Sequence, residues 1–333
     1  MNAITLIHVK CMEQELHNTK QVIVGKSIKD VATETLKYID DRRKHKIVSL
    51  KTRWDKFNKA CFFEPNMIYT IAGISGSGKS AFVNMLTNDL IDLNPSQEIV
   101  VLNFSFEMVS YRNVGRTLGS KLRLTTNELY SSITDVDDNQ YAEIEQTAKE
   151  LTKYNVYYID TPLTVEQIEK TILYYHDTIA KDKWLIVVLD HTLLVEGDSE
   201  RGTLVDLQKM FIRVKKLSKT CIIQISQMNR NIETPERINN PVTHFPMRSD
   251  LAASDALFQA SDYVLVIHRP ETLQLQFYGV NRLPVKNKVY LHFLKVREGD
   301  PCIIPFENEL KYGNLIETTI EPQKQKVVFN NKF

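Results

Sequence analysis

Gly73-Ile74-Ser75-Gly76-Ser77-Gly78-Lys79-Ser80 comes directly after the apolar run MIYTIAG (67–73) and opens the helical pattern SAFVNML (80–86). The octapeptide fits G-x-x-x-x-G-K-[ST] at every fixed position, with a strand before it and a helix after it, which is the context the motif needs. Its glycines let the chain turn successive N–H groups inward, so that the backbone from Gly73 through Ser75, Gly76, Ser77 and Gly78 cradles a β-phosphate. Lys79 brings a point charge to the β- and γ-phosphates. The helix N-terminus adds its dipole, and the Ser80 hydroxyl completes a Mg2+ shell. Nucleotide binding with Mg2+ is therefore expected.

Working outward from this loop, apolar runs recur at EIVVLNFSF (98–106), NVYYID (155–160), WLIVVLD (184–190), CIIQIS (221–226), YVLVIH (263–268) and VYLHFLKV (289–296). Several are unbroken Val/Ile/Leu stretches, as strands covered on both faces require. Helical patterns at Ser80–Leu93, Arg112–Leu122, Tyr141–Lys153, Val165–Ala180 and Thr203–Ser218 lie between them. Strand and helix alternating in this way predict an α/β fold with a mostly parallel, doubly wound sheet and right-handed crossovers. A composition change near residue 46 sets off a polar first segment (1–46) from the α/β domain (47–320), and a polar tail follows (321–333). In the first segment Ser27 and Asp30 resemble a capping box, and Ile28, Val31, Ala32, Leu36 and Ile39 recur at helical spacing. This amphipathic helix either packs on its own domain or docks on a neighbouring subunit.

The chain has 333 residues, 43% of them apolar and 25% charged, the ordinary range of a folded globular protein. Forty-two Lys plus Arg against 41 Asp plus Glu leave a formal charge of +1, so a polyanion would have to be held by local patches. Cys11, Cys61, Cys221 and Cys302 are far apart and form no CxxC pair, which argues against a zinc ribbon or a disulfide framework and for reduced cytoplasmic thiols. The start of the chain lacks a signal-peptide pattern, and no window is apolar for long enough to span a membrane.

Two acids stand where a sheet presents residues to its ligand crevice. Asp190 ends WLIVVLD, which suits a magnesium carboxylate, the alternative being a cap on the next turn. Glu107, in FSFEM (104–108), is placed to polarise a water attacking a γ-phosphate; alone it reads equally as a base or as a surface charge.

Together these blocks make residues 47–318 resemble the RecA-like ATPase domain of DnaB-type hexameric replicative helicases, phage members included. Five stretches carry the resemblance in order: the phosphate loop, FSFEM for the family's S-L-E-M, LIVVLDH (185–191) for its Walker B strand, ISQMNR (225–230) for S-Q-L-N-R, and Lys295-Val296-Arg297-Glu298-Gly299 for K-Q-R-N-G. The stretch SLKTRWDKFNKA (49–60) is similar to the family's lead-in. The resemblance implies ATP as substrate, Glu107 as general base, Asp190 as magnesium ligand and Gln227 as the sensor linking the γ-phosphate to DNA loops. It also implies Arg297, with Lys295 beside it, as an arginine finger entering the neighbouring subunit's site. A homo-hexameric ring on single-stranded DNA follows, with a primase or helicase loader as a further partner.

The sequence also departs from the family pattern. The channel-loop block S-D-L-R-E-S-G reads Ser249-Asp250-Leu251-Ala252-Ala253-Ser254-Asp255 here, with alanines for the charged pair. Arg230, Arg237 and Arg248 flank it as candidate DNA contacts. Glu298 replaces the usual Asn, and His191 follows the Walker B Asp. The first 45 residues are too few for the family's N-terminal domain, so a minimal, phage-like helicase is expected. A RecA-like recombinase filament and an ATP-gated loader or clamp are the alternative readings.

Overall fold

The computed structural model describes residues 25–133, 135–251 and 254–320. The chain divides into two compact units between Val48 and Ser49. In the first, helix α1 (Ile28–Arg43) starts at Ser27, whose hydroxyl accepts the Asp30 N–H at 3.2 Å. None of its residues is buried, and Ile28, Leu36 and Ile39 are exposed.

Among its described residues the second unit contains nine strands: β1 (Ile68–Gly73), β2 (Ile99–Ser105), β3 (Val156–Ile159), β4 (Trp184–Asp190), β5 (Thr220–Gln227), β6 (Tyr263–His268), β7 (Lys288–Val296), β8 (Ile303–Glu309) and β9 (Asn314–Glu317). Its helices are α2 (Asp55–Ala60), α3 (Lys79–Asp92), α4 (Ser110–Leu122), α5 (Thr126–Tyr130), α6 (Asp138–Leu151), α7 (Val165–Asp177), α8 (Glu200–Val214), α9 (Pro235–Asn239) and α10 (Ser254–Ala260). The strands form one sheet in the order β3-β2-β4-β5-β1-β6-β7-β8-β9. It is parallel from β3 to β6 and antiparallel from β6 to β9.

Period-two alternation sends successive side chains of each central strand into different cores. Val101, Ile186 and Ile223 face a cluster containing Trp54, Phe57 and Phe82. Val100, Val187 and Ile222 face one built on α7 and α8 through Ile168, Leu207 and Phe211. The lead-in around α2 closes the first core. Trp54 stacks on Phe82 with centroids 5.2 Å apart and donates its indole N–H to Leu315 O at 2.8 Å. Arg53 grips the buried Asp89 of α3 at 2.6 Å, and Glu317 of β9 accepts the N–H groups of Lys56 and Phe57.

All seven expected strands are present. β8 and β9 have no counterpart among the sequence-based expectations: β8 carries Pro305, and only Ile304 and Phe306 of it are buried, as in an antiparallel strand near a sheet edge. Several helices start earlier than their apolar periodicity. α6, for example, begins at a capping box between Asp137 and Gln140, ahead of its first apolar residue. No helix among the described residues is long and apolar enough to cross a membrane. The tail 321–333, Cys11 and Ala252-Ala253 lie outside the described residues.

Candidate functional site

β1 is the fifth strand of nine, flanked by β5 and β6, and the phosphate loop leaves its carboxyl end where an open α/β sheet binds ligands. Backbone geometry explains the glycines. A Cβ on Gly73 would sit 2.4 Å from Ser77 Oγ and 2.7 Å from Ile267 O, and Gly78, the N-cap of α3, has φ +100°. Lys79 folds back over the loop, donating to Gly73 O at 3.0 Å and Ile74 O at 2.9 Å. Burial lowers its pKa, against the opposing pull of the Asp190 and Glu107 charges.

Asp190 closes β4 and is buried. Burial raises its pKa; a hydrogen bond from Ser80 acts the other way, and the Glu107 charge adds to the rise. Its Oδ1 is buried without a hydrogen-bond partner. A buried carboxylate oxygen left open beside a serine hydroxyl is a hard-oxygen donor pair, and it fits Mg2+.

Glu107 stands just past the end of β2, half exposed at the mouth of the site. His191 lies between it and Gln227: His191 Nε2 is 4.0 Å from Glu107 Oε2 and 3.3 Å from Gln227 Nε2. These three residues come from the ends of β2, β4 and β5, which are adjacent in the sheet. Burial lowers the His191 pKa. Leu193 N–H points at Nδ1 at 3.3 Å. No sequence pattern marks His191 for this place.

Ser75, Lys79, Glu107 and Gln227 share a cavity of about 370 Å³ with Arg116 and Arg269. Arg269 Nη1 donates to Gly76 O at 3.3 Å, while its Nε and Arg116 Nη1 are buried without partners. Sequence reasoning missed both arginines. Arg269 follows the end of a strand beside β1 and was within reach of the crevice rule, whereas nothing sets Arg116 apart on its helix.

Lys295 and Arg297 lie elsewhere. β7 runs antiparallel to β6 with Val296 opposite Tyr263, which puts both cations at the end of the sheet where β1 begins. The five steps between the six residues of β1, at ~3.3 Å each, set them about 17 Å along the strand from their own phosphate loop. Arg297 Nε pairs with Asp262 Oδ1 at 2.7 Å. Lys295 Nζ donates to Phe258 O at 2.6 Å and Gln259 O at 3.3 Å, and burial lowers its pKa.

The three candidate DNA arginines separate by environment. Arg230 is 93% exposed, its nearest acid being Glu233 at 4.0 Å. Arg248 pairs with Asp255 at 2.7 Å and lies over the Phe258 ring. Arg237 lies within the loop. It is 11% exposed and bonds Asp250 Oδ1 at 2.9 Å, Asp250 Oδ2 at 3.1 Å, Thr243 O at 2.6 Å and Phe245 O at 2.9 Å, so its charge is spent inside the loop. Among the described residues no group of three or more His, Cys, Asp or Glu gathers as a metal site.

Solved structures resemble this fold. One of them, an isolated ATPase domain, superposes with a TM-score of 0.75 at 18% identity, covering 89% of this chain and all of that one. A DnaB-like replicative helicase, solved for its interactions with primase, gives a TM-score of 0.71 at 18% identity, covering 91% of this chain and 70% of that one. The replicative DNA helicase DnaB of Buchnera aphidicola is 26% identical over 226 residues, 65% of this chain and 45% of its own length. The chain spans about half the length of the curated relatives it matches. Residues 49–312 match the DnaB-like helicase C-terminal domain, which is most of the chain, and the protein belongs to that family.

Proposed function

We propose that this chain is the motor of a replicative DNA helicase, a homo-hexameric ring that hydrolyses ATP and translocates on single-stranded DNA. The observation carrying this reading is the division of the site: phosphate loop, Ser80/Asp190 pair and Glu107 at one end of the sheet, Lys295 and Arg297 at the other. A chain whose basic pair lies about 17 Å from its own loop brings the two halves together only by placing one subunit's arginine against the next subunit's nucleotide.

In the proposed cycle Lys79 exchanges its bonds to Gly73 O and Ile74 O for the β- and γ-phosphates. Mg2+, when held by Ser80 and Asp190, supplies charge neutralisation on the same oxygens. Glu107 takes the proton of the attacking water. Arg116 and Arg269, with buried nitrogens unpaired, are further cations for the phosphate chain. The neighbour's Arg297 stabilises charge developing on the transferred phosphoryl group, an effect worth about 10³–10⁵ in rate.

Gln227 reports the state of the γ-phosphate through β5. Met228, next along the chain, pairs with Leu251, and Asn229 donates its backbone N–H to Asp250 O at 2.7 Å. Movement of Gln227 is thus passed into the segment 229–251, where Arg230 and Arg248 would meet DNA phosphates and Arg237 holds the loop in shape. A primase or a helicase loader is the proposed further partner, the apolar face of α1 is available to a neighbouring subunit, and the replicating cytoplasm is the proposed site of action. The test is steady-state ATP hydrolysis over a range of protein concentration, with and without single-stranded DNA. Turnover that rises with both supports the motor; slow turnover indifferent to DNA favours a nucleotide-gated loader or clamp.

A further inference from the structure

We propose that Asp262 is the positioning residue for Arg297, holding the base of its side chain by an ion pair and a backbone hydrogen bond. The inference rests on the reading of Arg297 as a finger acting on a neighbouring subunit. Asp262 lies between α10 and β6 and is 1% exposed. Its Oδ2 accepts the Ile68 N–H at 2.8 Å and Lys215 Nζ at 2.7 Å, and its Oδ1 forms an ion pair with Arg297 Nε at 2.7 Å. Its backbone is tied as well: its N–H donates to Ile68 O at 2.9 Å, and its carbonyl accepts the Arg297 N–H at 3.1 Å. The carboxylate is therefore held against the first residue of β1 and presents one oxygen in a fixed direction.

A guanidinium carries five N–H donors in a rigid plane. The ion pair through Nε and the backbone bond to the Asp262 carbonyl hold the base of the side chain and leave Nη donors for another partner. Arg297 is 52% exposed, and no Nη contact is formed among the described residues. An arginine without such an anchor would sample many rotamers and hold a transition-state geometry only part of the time. An ångström of misplacement can cost about 10²-fold in rate. Lys295 also feels the charges of Arg297 and Lys215, and Asp262 is the buried counter-charge that pairs with both of those cations.

The test compares DNA-stimulated ATP turnover in full-length Asp262→Asn, Lys215→Gln, Arg297→Ala and the Asp262→Asn/Arg297→Ala double variant, with kcat and KM determined separately. Asp262→Asn is expected to lower kcat about 10- to 100-fold with KM for ATP unchanged. It should cost nothing further in the Arg297→Ala background. Lys215→Gln, which removes the other cation on the same carboxylate and leaves the Arg297 contact, should stay near wild type. Full kcat in Asp262→Asn alongside an inactive Arg297→Ala would overturn the positioning role while leaving the finger in place. A loss in Lys215→Gln as large as in Asp262→Asn would mark Asp262 as merely structural. Full activity in Arg297→Ala would remove the finger reading and this inference with it. Should Asp262→Asn fail to fold, Asp262→Glu keeps the charge opposite Lys215, displaces the guanidinium, and must show the same fall in kcat alone.

Discussion

Replacing Arg237 by Ala removes the guanidinium that holds the loop between β5 and α10. Four bonds go with it, two to Asp250 and one each to Thr243 O and Phe245 O. The carboxylate of Asp250, 1% exposed, keeps only the Met247 N–H at 2.7 Å. Breaking a buried pair by deleting one partner costs about 3–5 kcal/mol, because the surviving charge stays buried. The remaining bond puts this case near 3 kcal/mol on that scale. If the loop unfolds with the whole domain, the melting temperature falls by roughly 6–12 °C. If the loop opens on its own, the cost appears as lost hydrogen-exchange protection across 229–251 with the global transition in place. Both are read by differential scanning calorimetry and amide exchange on the same sample. Arg230→Ala is the contrast: it should leave stability unchanged and weaken DNA stimulation of turnover. An Arg237→Ala protein with unchanged melting and protection but impaired DNA stimulation would refute the internal role and return Arg237 to the DNA-contact set.

Lys79→Ala should abolish hydrolysis, and Glu107→Gln should slow it about 10²–10⁴-fold while ATP still binds, as titration with a fluorescent nucleotide would show; unimpaired turnover in Glu107→Gln would sink the general-base assignment. Burial raises the Asp190 pKa, so its ionised form destabilises the fold once pH rises through that raised value, and the penalty is absent below its ordinary 3.8. Asp190→Asn should therefore melt higher than wild type at pH 7 without Mg2+ and yet lose Mg2+-dependent turnover; a lower melting point would contradict the burial argument. Burial holds His268 neutral with its pKa lowered to about 3, so the unfolded chain takes up the proton first and stability is lost as pH falls from about 6.5. For this group alone the loss between pH 7 and pH 5 is about 2 kcal/mol. His268→Phe should flatten that part of the urea-stability profile, and an unchanged acid slope would refute it.

The parallel half of the sheet was legible because strands buried on both faces announce themselves as unbroken apolar runs, and the phosphate loop because backbone geometry restricts its glycines. Asp190 and Glu107 were legible as acids at strand ends. Partner-dependent features were not. β8 and β9 take their identity from pairing with β7 and with the lead-in around α2. Arg237 shows its charge in the sequence, but its bond to Asp250 depends on how thirteen residues of loop fold back. Asp262 reads as an ordinary acid before a strand; the partners of its carboxylate come from Ile68, Lys215 and Arg297, far apart in the chain. His191 looked like a departure from the family pattern, yet it joins Glu107 to Gln227 because β2, β4 and β5 are neighbours in space.

The composite site is tested most directly by mixing two inactive variants, Lys79→Ala with its finger intact and Arg297→Ala with its phosphate loop intact, and assaying ATP turnover after subunit exchange. In randomly mixed rings about a quarter of the interfaces join an intact loop to a neighbour's intact arginine. The account predicts recovery of turnover well above either variant alone, greatest near equal proportions. No recovery at any ratio, with exchange verified by labelled subunits, would contradict it and place the action of Arg297 within its own chain.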